Sequence, residues 1–77
     1  MKIIMNGNEC IMAHHIKSFI REGLEVQFWD VNDMISQIRF INLKESKYIY
    51  DELIEFLSNE TLSIFNINEL IKELNDS

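Results

Sequence analysis

A single cysteine, Cys10, stands in the segment Asn6-Gly7-Asn8-Glu9-Cys10-Ile11-Met12-Ala13, between a short apolar run and a stretch with helical spacing. A thiol at the start of a helix is well placed for a nucleophile, because the helix dipole and nearby cations favour the thiolate. His14 follows four residues on, so on a helix it shares a face with Cys10, and a Cys–His pair can activate a nucleophile. The competing reading is an inert cysteine that packs like a small hydrophobe. A lone thiol also rules out a disulfide within the chain. His14 and His15 are adjacent and point about 100° apart on a helix, so they do not chelate one ion together with Cys10. The spaced ligand pairs of a zinc site are missing, and neither a metal nor a cofactor is expected.

The second chemical theme is acid. The chain of 77 residues has 13 Asp and Glu against 7 Lys and Arg, a formal net charge of −6. Residues 1–43 hold Lys2, Lys17, Arg21 and Arg39 against Glu9, Glu22, Glu25, Asp30 and Asp33, a balance of −1, which leaves −5 for residues 44–77. That imbalance argues against nucleic acid as a direct partner, since phosphates require Lys and Arg. It is either a solvated surface that aids solubility or an acidic face that steers toward a basic protein. Asp51, Glu52 and Glu55 are the candidate contacts within it, with Glu60, Glu69 and Glu73 in the same half. Trp29 is a further candidate, since Trp is enriched at binding hot spots; its alternative role is core packing.

The elements that must position these residues begin with Lys2–Met5, an apolar run that reads as a strand and ends at the turn signal Asn6-Gly7-Asn8. Asn8 then caps a helix over about 9–22, with Met12, Ile16, Phe19 and Ile20 on its apolar face and Gly23 terminating it. Leu24–Val31 alternates like a strand. Together these make a βαβ unit in which residues 2–5 and 25–31 are parallel neighbours. Residues 33–47 suggest a second helix of imperfect period. Residues 48–65 read either as a helix through 57 or as a hairpin of Leu53–Leu57 and Thr61–Phe65, and the hairpin is preferred for its Thr, Ile and Phe. Asn66 or Asn68 caps a last helix with Ile67, Leu70, Ile71 and Leu74 on its buried face. A hydrophobic fraction of 47% in one short chain implies a single small globular domain over residues 1–77. No apolar run approaches the ~20 residues that span a bilayer, and Met1–Met5 is too short for a signal peptide. A cytoplasmic, non-membrane protein is expected.

In this order the pieces resemble the glutaredoxin form of the thioredoxin fold, a small α/β domain of order βαβ(α)ββα. The likeness is carried by strand Lys2–Met5, Cys10 opening a helix, Gly23 ending it and the strand Leu24–Val31, and then by Leu53–Leu74. The family's C-x-x-C corresponds to Cys10-Ile11-Met12-Ala13, in which Ala13 replaces the resolving thiol. The family's cis-proline falls near Asp51 or Glu52 in a chain without proline, where a cis bond costs about 2.5–4 kcal/mol. The glycine pair that contacts glutathione is replaced near Asn66 and Ile67. The resemblance therefore implies a redox scaffold without most of its redox parts. Three functions follow: a thioredoxin-fold module that acts by protein–protein interaction; a monothiol redoxin using Cys10; and a small helical interaction protein, if residues 48–57 are helical. Abundant Ile and Asn with a single Ala suit an AT-rich genome, as in a phage or mobile-element modulator of a host protein. The oligomeric state is not legible from these residues.

Overall fold

The computed structural model describes residues 1–76. Six strands and two helices run in the order β1 (Ile3–Asn6), β2 (Glu9–Met12), a 3-10 turn (Ala13–His15), β3 (Ser18–Glu22), β4 (Glu25–Trp29), β5 (Met34–Arg39), α1 (Leu43–Ser58), β6 (Ile64–Asn66) and α2 (Ile67–Asp76). The strands form two three-stranded sheets, one ordered β2-β1-β6 and the other β3-β4-β5. The result is a small α/β domain with a Cα radius of gyration of 11.8 Å.

The two glycines determine the first half. β1 and β2 pair antiparallel from Ile3–Met12 to Asn6–Glu9, so only Gly7 and Asn8 turn the chain. β3 and β4 pair from Ser18–Trp29 to Glu22–Glu25, so only Gly23 and Leu24 turn it. Gly7 has φ +60° and Gly23 +62°, and no other described residue has positive φ. A positive φ at the first of two turn residues is the pattern of a II′ hairpin, whose twist matches that of the flanking strands. β5 completes an antiparallel meander on β4, with a register shift between Phe28 and Trp29.

These hairpins replace the helix expected over 9–22. Within each strand the side chains alternate: Ile11 is buried in β2 while Cys10 is exposed, and Phe19 is half-buried in β3 between exposed Ser18 and Ile20. The 3-10 turn lies between the two alternations, which is how Met12, Ile16, Phe19 and Ile20 come to mimic one helical face. Residues 2–5 and 25–31 are consequently not parallel neighbours, because β1 and β4 belong to different sheets. The helix expected over 33–47 is strand β5 followed by the start of α1. The preferred hairpin is absent as well: Leu53–Leu57 lie inside α1, so the helical reading of 48–57 holds, and β6 pairs parallel with β1 instead. The element order differs from βαβ(α)ββα accordingly. The strand expected over 24–31 and the last helix are found where the pattern placed them.

Helix α1 is the central packing element. Asn42 caps it, its Oδ1 accepting from the Glu45 N–H at 2.9 Å, while Glu45 reaches back to accept from the Ile41 N–H at 3.3 Å. Ile49 and Leu53 are fully buried and Phe56 nearly so. Toward its N-terminus, α1 meets the β3-β4-β5 sheet: the Ser46 hydroxyl donates to the Gly23 carbonyl at 3.0 Å, and Tyr50 packs on Phe19 with ring centroids 5.4 Å apart. Toward its C-terminus it meets the β2-β1-β6 sheet through Phe56 and Phe65, 5.2 Å apart. One continuous core results, with Ile4, Ile11 and Phe65 from one sheet and Val26, Phe28 and Ile38 from the other. α1 has no basic residue in its last turn. Lys2 supplies the missing charge from β1's leading edge: its ammonium donates to the carbonyls of Phe56, Asn59 and Leu62 and lies 4.6 Å from the centre of the Phe56 ring.

Candidate functional site

α2 packs against α1 and β1, and Asn66 begins it by accepting from the Glu69 N–H at 3.3 Å. Between α1, β6 and α2 runs an open groove of about 340 Å³. Its apolar floor is Phe56, Phe65, Leu70 and Ile64; its walls carry Glu52 and Glu55 from α1 and Glu69 and Glu73 from α2. No Lys or Arg lines it. Spacing puts these acids side by side, since residues three or four apart share a helix face. Tyr48 senses two of them from one turn earlier on α1: partial burial raises its phenol above the ordinary value of 10.0, and Glu52 and then Glu73 add to the rise.

Helix stability accounts for Glu69, in the first turn of α2, but not for the groove acids of α1. Carboxylates stabilise a helix near its N-terminus and oppose the dipole near its C-terminus, yet Glu55 lies in the last turn of α1. Like charges at helical spacing cost a few tenths of a kcal/mol per pair, and both the Glu52–Glu55 and Glu69–Glu73 pairs incur that cost. The one ion pair among the described residues, Arg39 with Glu25 at 3.8 Å, lies on the other sheet.

The residues singled out in the sequence are thus distributed. Glu52 and Glu55 share the groove, with Glu69 and Glu73 joining them across it. Asp51 is exposed on α1 but outside the groove lining. Trp29 is neither in the core nor near the groove: it is half-buried on the face of β4 turned away from α1, and its indole N–H donates to Gln27 Oε1 at 3.2 Å. Cys10 is exposed in β2, opposite Met5. It opens no helix, and the helical spacing that paired it with His14 does not exist. His14 and His15 stack in the 3-10 turn, ring centroids 4.1 Å apart, and it is His15 that shares a groove with Cys10. That second groove, about 350 Å³, follows the seam between the sheets and also takes in Asp30 and Ile35. The Ser36 hydroxyl donates to Glu9 Oε1 across the same seam at 2.8 Å. The expected hairpin places Phe56 and Phe65 on two paired strands, whereas Leu70 lies on the last helix as expected; the acids three and four apart around apolar pairs, Glu52-Leu53-Ile54-Glu55 and Glu69-Leu70-Ile71-Lys72-Glu73, are the signal that, read as two facing helices, locates the groove.

Comparison with known protein families, with curated proteins and with solved structures returned no match to this chain. No helix among the described residues is long and apolar enough to cross a membrane.

Proposed function

We propose that this protein acts by binding another protein, through the acidic, apolar-floored groove between α1, β6 and α2. The observation that carries this is the gathering of four glutamates, from two helices, around a groove whose accessible apolar surface comes from Ile64 and the half-buried Leu70 over buried Phe56 and Phe65, with no cation among the lining residues. The like-charge pairs and Glu55 at the end of α1 oppose folding, and the unpaired acids favour a basic partner. Charge of this kind raises association rate and excludes wrong partners more than it adds affinity. The setting in this reading is a cytoplasmic one, and the acting chain is a modulator of its partner rather than a catalyst, consistent with the AT-rich composition of a phage or mobile-element protein.

A second reading is a monothiol redoxin, the remnant of a glutaredoxin-like thioredoxin fold. The exposure of Cys10 in a groove with His15 favours it. In it the Cys10 thiolate attacks a partner disulfide to give a mixed disulfide and release one partner thiolate, and an external thiol resolves the product. Against it stands the strand around Cys10, which offers no helix N-terminus to stabilise a thiolate.

One capture experiment separates the two. Tagged wild type, Glu52→Lys/Glu55→Lys and Cys10→Ser are used to retrieve proteins from the native host under reducing and non-reducing conditions. The groove reading expects a partner retained by Cys10→Ser and lost by the charge reversal. Retention by the charge-reversed protein, with loss in Cys10→Ser under non-reducing conditions, would transfer the function to the thiol.

A further inference from the structure

The groove is lined by Ile64, Phe65 and Asn66, three consecutive residues of one strand. Alternate side chains of a strand point to opposite faces. A groove that touches all three must therefore run past the strand's edge rather than over one of its faces. β6 is at the edge of its sheet, paired only with β1. Its register with β1 is Ile3–Ile64 to Met5–Asn66, and the Ile3 N–H donates to the Ser63 carbonyl at 2.8 Å. In a parallel ladder of that register, Phe65 turns its main-chain groups toward β1. The Ile64 N–H and C=O and the Asn66 N–H then face outward along the groove.

We propose that the groove takes an extended, basic segment of a partner protein, which adds to the open edge of β6 as a fourth strand. The proposal rests on the reading of the acidic groove as a binding site and specifies how the partner lies in it. Alternate side chains of an added strand separate into two sets. The set that faces α1 and α2 meets Leu70 and, where it is Lys or Arg, reaches the glutamates on those helices; the opposite set lies beside the exposed Ile64. Charge decides against the simplest competitor, a second copy of this chain, since each copy brings a net charge of −6 to the same acids. It decides against nucleic acid for the same reason. Edge strands left open are commonly blunted by a Lys or a Pro; β6 has neither, and Ile64 is 61% exposed.

The test uses the full chain and synthetic peptides: one alternating Lys and Val, the same peptide N-methylated at every second residue in both phases, and a Lys/Leu peptide of equal charge with its apolar residues at helical spacing. Affinity is read by calorimetry, and contact by amide hydrogen exchange. The expected result is that the alternating peptide binds best and protects the Ile64 and Asn66 amides. At least one phase of N-methylation should cost about fivefold or more per hydrogen bond lost. Ile64→Pro removes an outward N–H but no bond to β1, a substitution an edge strand tolerates, and against an Ile64→Val control for the changed side chain should weaken the peptide by about fivefold with the circular dichroism unchanged. Preference for the helical-spacing peptide, indifference to N-methylation, protection confined to other amides, or self-association through the groove would each overturn strand addition. So would failure of every peptide while Glu52→Lys/Glu55→Lys still abolishes capture of the natural partner, a result that leaves the groove reading intact. If the charge reversal changes neither peptide binding nor capture, the groove reading falls and strand addition falls with it.

Discussion

Tyr48 is the residue that reports on the groove without a partner present. Its phenol is raised above 10.0, first by partial burial and then by Glu52 and Glu73, both of which disfavour a further negative charge. The sign for stability follows. The folded state binds the phenolic proton more tightly than the unfolded chain does, so this contribution is complete below pH 10 and is lost as the pH rises through the folded value. Neutralising Glu52 as Gln, in a Tyr50→Phe background that leaves one tyrosine, should lower the Tyr48 value toward 10.0 in an ultraviolet titration of tyrosinate. Glu73→Gln should do so by a smaller amount. A titration curve unmoved by Glu73→Gln would mean that the two helices do not bring their acids together, and the groove would lose its electrostatic basis. Cys10 gives the contrasting case. Its chemistry was the most conspicuous feature of the sequence, yet a thiol in a strand takes its properties from whatever lies beside it, and what lies beside it here is His15 rather than His14.

At the scale of elements, α1 ends where β1 supplies a cation. Lys2 is half-buried, donates to the Phe56 carbonyl at 3.0 Å and to those of Asn59 and Leu62, and covers the Phe56 ring. Lys2→Met keeps the aliphatic stem and removes the charge. Charged hydrogen bonds and a cation–π contact at a partly exposed site together suggest a loss of about 2 kcal/mol, measurable by urea unfolding, with faster amide exchange at residues 57–62. An unchanged midpoint would show those carbonyls to be satisfied by solvent. No sequence pattern announces this contact, because the partners are 54 or more positions apart. The hairpins were more accessible. Gly7-Asn8 and Gly23-Leu24 are each a two-residue loop between strands, a hairpin spacing marked in the sequence by the glycine. Asn6-Gly7-Asn8 does mark a turn, but between two strands and not at a strand–helix junction, and Gly23 turns a hairpin where the pattern suggests a helix terminator, a role that calls for the same positive φ. Periodicity misled because the 3-10 turn shifts the phase between β2 and β3. In β5, exposed Met34 and Ile35 hide the alternation that buries Ile38. The final helix was legible because its strong 3.6-residue pattern is uninterrupted. The pairing of β6 with β1 is not legible, since three residues of strand carry too little pattern to name a partner 61 positions away, as from Ile3 to Ile64. The acidic half was visible from composition, whereas the groove depends on α1 and α2 facing each other.

Over the whole molecule, one small core must hold two sheets and two helices against a net charge of −6. A chain of this size has a modest margin of stability, so the repulsion in the groove is a measurable share of it. Glu73 lies one turn from Glu69 on α2 and, with Glu52 across the groove, acts on Tyr48. Glu73→Gln relieves an i,i+4 repulsion of about 0.2–0.5 kcal/mol and part of the cross-groove repulsion, while leaving the apolar floor in place. The variant should therefore unfold at a slightly higher urea concentration than wild type at low ionic strength. The gap should narrow as salt is added, because exposed charges are screened over roughly 8 Å at physiological ionic strength. The same substitution should slow association with a basic partner or with the alternating Lys/Val peptide, and that rate should also fall with salt in the wild type. A gain in stability together with a loss in association rate is what a charge kept for binding predicts. A merely solubilising charge predicts the first change without the second. If Glu73→Gln instead destabilises the fold at low salt, Glu73 has a structural partner, and the case for a groove held open for something else is lost.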